Sequence, residues 1–172
     1  ARAASIQVSE NIGKAYNPLL IYGSSGLGKT HIMHAIGNAV FQKNPSATIV
    51  YLHSEKFVQD MVRALQQNSI NSFKEYYRGI DVLLIDDIQF FAGKERSQEE
   101  FFHTFNAVTS AGGQVIMTAD TPPADILRLE PRLRSRFEAG LIVDVAPPDF
   151  ELKCAIVQIK SQERNIHLEM DQ

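Results

Sequence analysis

Short apolar, β-branched runs alternate with longer stretches of helical period along this chain. The runs at residues 19–22, 48–52, 82–85, 114–118 and 141–145 are apolar nearly throughout, which predicts strands covered on both faces. Residues 29–43 set Ile32, Ile36, Ala39 and Val40 on one helical stripe, stopped by Asn44-Pro45. Residues 55–67 carry Phe57, Val58, Met61 and Leu65 at the same spacing, and 72–78 predicts a shorter helix. Ser97-Gln98-Glu99-Glu100 reads as a capping box, opening a helix that buries Phe101, Phe105 and Val108 and ends at Gly112-Gly113. A last amphipathic helix is predicted over 150–164, and a helix lying against the sheet's edge within 1–15. Strands with intervening helices give an α/β fold, a five-stranded, mainly parallel sheet with helices on both faces.

Composition narrows the function classes. A length of 172 residues fits one ordinary domain, and 44% hydrophobic with 22% charged residues is globular usage. Lys and Arg number 17 against 20 Asp and Glu, a net charge of -3. That balance excludes a global basic field for wrapping duplex DNA and leaves a local basic patch open. Cys154 is the only cysteine, so an internal disulfide and a two-cysteine metal site are excluded, and a reducing compartment is expected. No apolar run approaches the ~18 residues of a membrane span, and the start has no apolar signal core; a cytoplasmic protein is expected. The first residue is Ala1 rather than Met, which reads as a piece of a longer chain.

The strongest chemical signal follows the first strand. Gly23-Ser24-Ser25-Gly26-Leu27-Gly28-Lys29-Thr30 matches G-x-x-x-x-G-K-[ST] at every fixed position, between a strand and a helix. Glycines let the backbone fold into a nest whose N–H groups point at phosphate oxygens, and the helix adds its positive N-terminus. Lys29 is expected on the β- and γ-phosphates of ATP and Thr30 on Mg²⁺. The run Val82-Leu83-Leu84-Ile85-Asp86-Asp87 supplies the acidic partner, with Asp86 toward Mg²⁺ and Asp87 toward the attacking water. The alternative is that both carboxylates merely cap the next turn. Related ATPases often carry Glu at the second position; Asp is one methylene shorter, so slow turnover is expected, a timed switch rather than a motor.

Asp120 follows the fourth strand, where a polar side chain can sense the γ-phosphate or else cap the Thr121-Pro122-Pro123 turn. Arg128, Arg132, Arg134 and Arg136 crowd into nine residues. On a short helix Arg132 and Arg136 share one side, with Leu133 and Phe137 toward the core. Spacing leaves two readings equal: an arginine finger entering a neighbour's ATP site, or a solvated basic turn paired with Glu130 and Glu138.

The phosphate loop, the block Leu83-Leu84-Ile85-Asp86-Asp87-Ile88-Gln89-Phe90-Phe91 and the block Lys94-Glu95-Arg96-Ser97-Gln98-Glu99-Glu100-Phe101-Phe102-His103-Thr104-Phe105-Asn106 closely resemble the DnaA family of bacterial chromosomal replication initiators. The resemblance covers nearly the whole chain. It implies an AAA+ P-loop NTPase domain over 1–172 that binds ATP or ADP with Mg²⁺, hydrolyses ATP weakly, and assembles head to tail with itself on the replication origin. It further implies Arg136 as the finger in trans, Arg132 as a second assembly or nucleotide-response arginine, and Asp120 as the first sensor. An inserted helical element, placed at 55–78, steers subunits into an open spiral, and single-stranded DNA is contacted at Val62, Lys94 and Arg96. From the residues alone, Lys94 and Arg96 flank a polar turn and are placed to reach phosphates. Helical period leaves Val62 either exposed or core.

By the same resemblance, duplex DNA is read by a C-terminal helix-turn-helix domain that lies outside this chain. Replicative helicase machinery, regulators and acidic phospholipids are the family's other partners. A helical lid would begin near Gln172, and Pro131 stands where relatives carry Asp, which is expected to tilt the arginine-bearing turn. The fragment alone is therefore expected to bind nucleotide weakly and hydrolyse it barely. Two other readings share the pocket: an AAA+ helicase loader or regulatory paralogue, and a small-molecule P-loop kinase.

Overall fold

Strand burial follows position in the sheet. The computed structural model describes residues 1–164 and 166. Its sheet comprises β1 (Leu19–Tyr22), β2 (Ile49–His53), β3 (Val82–Asp86), β4 (Gln114–Ala119) and β5 (Leu141–Asp144). The order is β2-β3-β4-β1-β5, and every pairing is parallel. Every residue of β3 and β4 is buried, whereas the edge strands β2 and β5 are only partly covered. Cover on both faces, expected of all five apolar runs, therefore holds for the inner strands β1, β3 and β4 and fails for β2 and β5, each of which lies at an edge.

Alternation along the strands sends side chains into two cores. On one face Leu20, Leu83, Ile85, Val115 and Met117 pack with residues of α3 (Ser54–Gln66), α5 (Glu95–Ser110) and α6 (Pro131–Glu138). On the other, Leu19, Ile21, Val82, Leu84 and Ile116 pack with Met33, Ile36 and Val40 of α2 (Lys29–Lys43). Phe57 anchors the first core, with edge-on contacts to Phe73, Phe91 and Phe101 at 5.3, 5.8 and 5.3 Å between ring centroids. Phe73 comes from α4 (Ile70–Arg78), so this aromatic cluster ties the α3–α4 pair to the body of the domain.

Several sequence expectations need correction. The helix α1 (Arg2–Glu10) packs on α2, burying Val8 in the second core, rather than lying against the sheet's edge. On α2, Met33 is buried together with Ile36 and Val40, whereas the predicted Ile32 and Ala39 are only half-buried. The closing helix α7 (Phe150–Glu163) has no buried residue; Phe150 is 80% exposed. The expected lid beginning near Gln172 lies outside the described residues. Among these, no helix is long and apolar enough to cross a membrane.

The capping box also reads differently. The helix α5 begins at Glu95, two residues before Ser97, with Lys94 as its cap, and Ser97 and Gln98 are buried within its first turns. The Gln98 amide instead joins three backbone groups. Its Nε2 donates to the carbonyls of Phe91 and Arg128, each at 2.9 Å, and its Oε1 accepts from Glu130 N–H at 2.7 Å. Replacing it by the similarly sized methionine leaves the Glu130 N–H without its acceptor, at about 1–3 kcal/mol, and takes a second donor from the Phe91 and Arg128 carbonyls, which keep the N–H groups of Lys94 and Gly93. Gln98→Met is expected to destabilise the fold by about 2–4 kcal/mol in urea titration. A loss below about 0.5 kcal/mol, the range of ordinary surface changes, would contradict that role.

Candidate functional site

Parallel strands bring their C-terminal ends to one edge, where loops converge. The loop after β1 turns at Gly23, where a Cβ would stand 2.7 Å from the Val145 carbonyl oxygen. Gly28 adopts the left-handed conformation (φ 88°) as the cap of α2, with no side-chain cap bond. The N-terminal N–H groups of α2 therefore remain available to an anion. Lys29 is buried and folds over the loop, its Nζ donating to the carbonyls of Gly23 at 2.6 Å and Ser24 at 2.9 Å.

The strand order places β4 between β1 and β3, and the carboxylate of Asp86 is the hub where they meet. Asp86 is 4% exposed; its Oδ2 accepts from Thr30 Oγ1 at 2.7 Å and from the Tyr51 hydroxyl at 3.1 Å. Its other oxygen accepts from Thr118 Oγ1, which also accepts from the Asp87 N–H at 2.9 Å. Burial first, then the charge of Asp86 and the bond to it, raises the Tyr51 pKa above its ordinary value, so the phenol stays protonated and donates. The paired hydroxyl of Thr30 and carboxylate of Asp86 are hard oxygen donors of the kind that suits Mg²⁺. Among the described residues no cluster of three or more His, Cys, Asp or Glu is arranged to hold a metal by itself.

Asp87 is a different carboxylate. Its backbone is left-handed (φ 57°), an uncommon conformation outside glycine. Its Oδ2 lies 3.0 Å from His53 Nε2, its Oδ1 accepts from Gln89 Nε2 at 3.1 Å, and its carbonyl accepts from Ser54 Oγ at 2.6 Å. Both carboxylate oxygens are thus engaged. Asp120 stands exposed just beyond β4, where its Oδ1 accepts from Thr121 Oγ1 at 3.3 Å. The polar β4 side chain that touches the acidic pair is Thr118. Sequence reasoning missed Thr118, Tyr51 and His53; a hydroxyl near the end of a strand whose other polar residue is Gln114 at its start was the available signal for Thr118.

The helix α6 buries Leu133 and Phe137, leaving Arg132 and Arg136 exposed one turn apart. Pro131 occupies the first helical turn, where its missing N–H and fixed φ are accommodated, and α6 forms around it without a break. Arg132 pairs with Glu130 at 2.8 Å and lies 3.9 Å from Glu99; Glu138 makes no ion pair among the described residues. Arg134 instead turns inward, its Nη2 donating to the Ile126 carbonyl at 3.1 Å. No hydrogen bond or ion pair connects Arg132 or Arg136 to the phosphate loop or to Asp86 and Asp87 among the described residues.

Two cavities are lined by predicted site residues. Leu27, His31 and Ile32 beside the phosphate loop face α1 and α7 across an apolar space of ≈ 800 Å³. A separate groove of ≈ 600 Å³ runs between α3 and the turn that opens α5. It brings together Val62, Lys94 and Arg96, which are far apart or merely neighbouring in sequence. Val62 is 42% exposed, which settles the question its helical period left open. Among the described residues Arg96 makes no ion pair, and the Lys94 ammonium donates to the Phe90 carbonyl and pairs with no carboxylate.

Comparison with known proteins agrees with this fold. Domain III of the Thermotoga maritima replication initiation protein DnaA superposes with a TM-score of 0.93 at 39% identity, covering 98% of this chain and 70% of that one. A structure of replication initiator DnaA bound to AMPPCP and single-stranded DNA gives 0.89 at 38% identity, covering 98% of this chain and 52% of that one. This chain thus spans about half the length of the latter structure. The DnaC helicase loader, at 17% identity and a TM-score of 0.72 over 84% of this chain and 87% of its own, shares the fold. The model of the bacterial DnaA ATPase domain matches residues 1–144, and the chain belongs to that family.

Proposed function

We propose that this chain is the ATP-binding AAA+ domain of a replication initiator, in which nucleotide controls self-assembly on origin DNA. The observation that carries the reading is that one domain holds both a groove in which Val62, Lys94 and Arg96 meet and a complete phosphate loop with its acidic partner. A triphosphate entering the loop takes the Lys29 ammonium from the Gly23 and Ser24 carbonyls, and the base lies in the apolar space beside Leu27 and His31. Thr30 and Asp86 hold Mg²⁺, whose charge offsets that of the phosphates. Asp87 orients the attacking water. Its short reach and its engagement by His53 and Gln89 support slow hydrolysis that resets the state. Arg136 of one subunit meets the terminal phosphate held by the next, so the phosphate's binding energy goes into subunit association. The cytoplasm is the compartment in which such a domain acts.

Single-stranded DNA lies in the groove through its phosphates, since the groove has aliphatic rather than aromatic walls to face the bases. Replacing Lys94 and Arg96 together by alanine is expected to weaken binding of an oligonucleotide while leaving ATP affinity unchanged. The slope of log affinity against log salt should fall by about 0.7 for each phosphate that is no longer neutralised. Titrations of the full-length protein at several salt concentrations measure it; an unchanged slope would remove DNA from this groove.

A further inference from the structure

We propose that the ring of Phe102 is the positioning element for Arg136, a role that rests on Arg136 acting across a subunit boundary. Phe102 lies on α5, half-buried where that helix meets α6. Arg132 and Arg136, one helical turn apart, converge on this single ring, their Cζ atoms 4.9 and 5.7 Å from its centroid. Two guanidinium groups at that spacing repel each other, and the negative face of the ring offsets the repulsion.

The two arginines are held differently. Arg132 is also tied down by carboxylates, donating from Nε to Glu130 at 2.8 Å and lying 3.9 Å from Glu99. Arg136 has no ion pair among the described residues, so the ring is the charge-complementary group beside it. A carboxylate in the same place would compete with a phosphate for the guanidinium. An aromatic face holds a cation more weakly at an exposed site, so it restricts the long side chain without sequestering it. Arg136 therefore waits outward-facing and partly ordered, and less freedom is lost when it meets the terminal phosphate on a neighbouring copy.

The test uses the full-length protein with Phe102→Leu, which keeps an apolar side chain and removes the π face, and Phe102→Trp, which restores a stronger one. ATP-dependent self-association is read by sedimentation velocity, alongside ATP affinity and thermal midpoint. Phe102→Leu should weaken association about two- to fivefold, the fold-change of an exposed interaction of this class, with ATP affinity and midpoint unchanged. Phe102→Trp should associate at least as well as the original. Unweakened association in Phe102→Leu, or weakening that Trp does not restore, overturns the role of the ring. Arg136→Ala, run in parallel, separates the two ideas: if it leaves association intact, the underlying reading of Arg136 fails and this one with it.

Discussion

Replacing Lys29 by alanine is expected to weaken ATP binding by about 30- to 5,000-fold while the domain stays folded. Burial sets the size of the effect. Lys29 is only 7% exposed, and its ammonium sits on two loop carbonyls. Those bonds orient it over the nest, where the β- and γ-phosphates exchange with the carbonyl oxygens. Truncating one partner of a buried, hydrogen-bonded charge pair costs about 2–5 kcal/mol, and each 1.4 kcal/mol is tenfold in affinity. The α2 N-terminus and the glycine loop remain, so residual weak binding persists. Calorimetric titration of the variant measures the loss. Affinity within a fewfold of the original would place the phosphates elsewhere.

Arg136→Ala should act on a different step. The side chain makes no hydrogen bond or ion pair with its own phosphate loop among the described residues, so ATP affinity is expected to stay within about twofold, a change of ~0.4 kcal/mol. Hydrolysis by the assembled protein, by contrast, should fall about 10³-fold or more, the range of an arginine supplied from a neighbour. Single-turnover measurement on preloaded ATP separates the two quantities. Loss of ATP affinity itself would move Arg136 into its own subunit's site, and an unchanged rate in the assembly would remove it from catalysis.

What the sequence disclosed was local, and what it hid was assembled by topology. The phosphate loop is legible because its fixed residues, its strand and its helix are contiguous, and Asp86 is legible as the acid closing an apolar run. Tyr51 and Thr118 reach Asp86 only because β2, β3 and β4 lie side by side, an order no short-range pattern encodes. His53 meets Asp87 for the same reason, and the left-handed turn at Asp87 could not be read from an aspartate pair. Ser97 and Glu100 imitate a capping box inside a helix that opens at Glu95, and the sequence does not announce the role of the buried Gln98 between them. The carbonyls of Phe91 and Arg128 that claim its amide become its neighbours only in the fold. In α7 the helical period is legible while its burial is not, since amphipathic spacing says that a face exists and nothing about what covers it. For Arg136, spacing leaves the finger and the solvated turn equal. The fold pairs Arg132 with Glu130, as the solvated turn would require, and leaves Arg136 exposed without such a partner among the described residues.

Control of assembly by the terminal phosphate is the claim on which the other readings lean. Sedimentation velocity of the full-length protein on a single-stranded oligonucleotide, with ATP in one cell and ADP in the other at saturating concentrations, tests it most directly. Multi-subunit complexes with ATP and single bound protomers with ADP are the predicted result. Complexes of equal size under both nucleotides would contradict it.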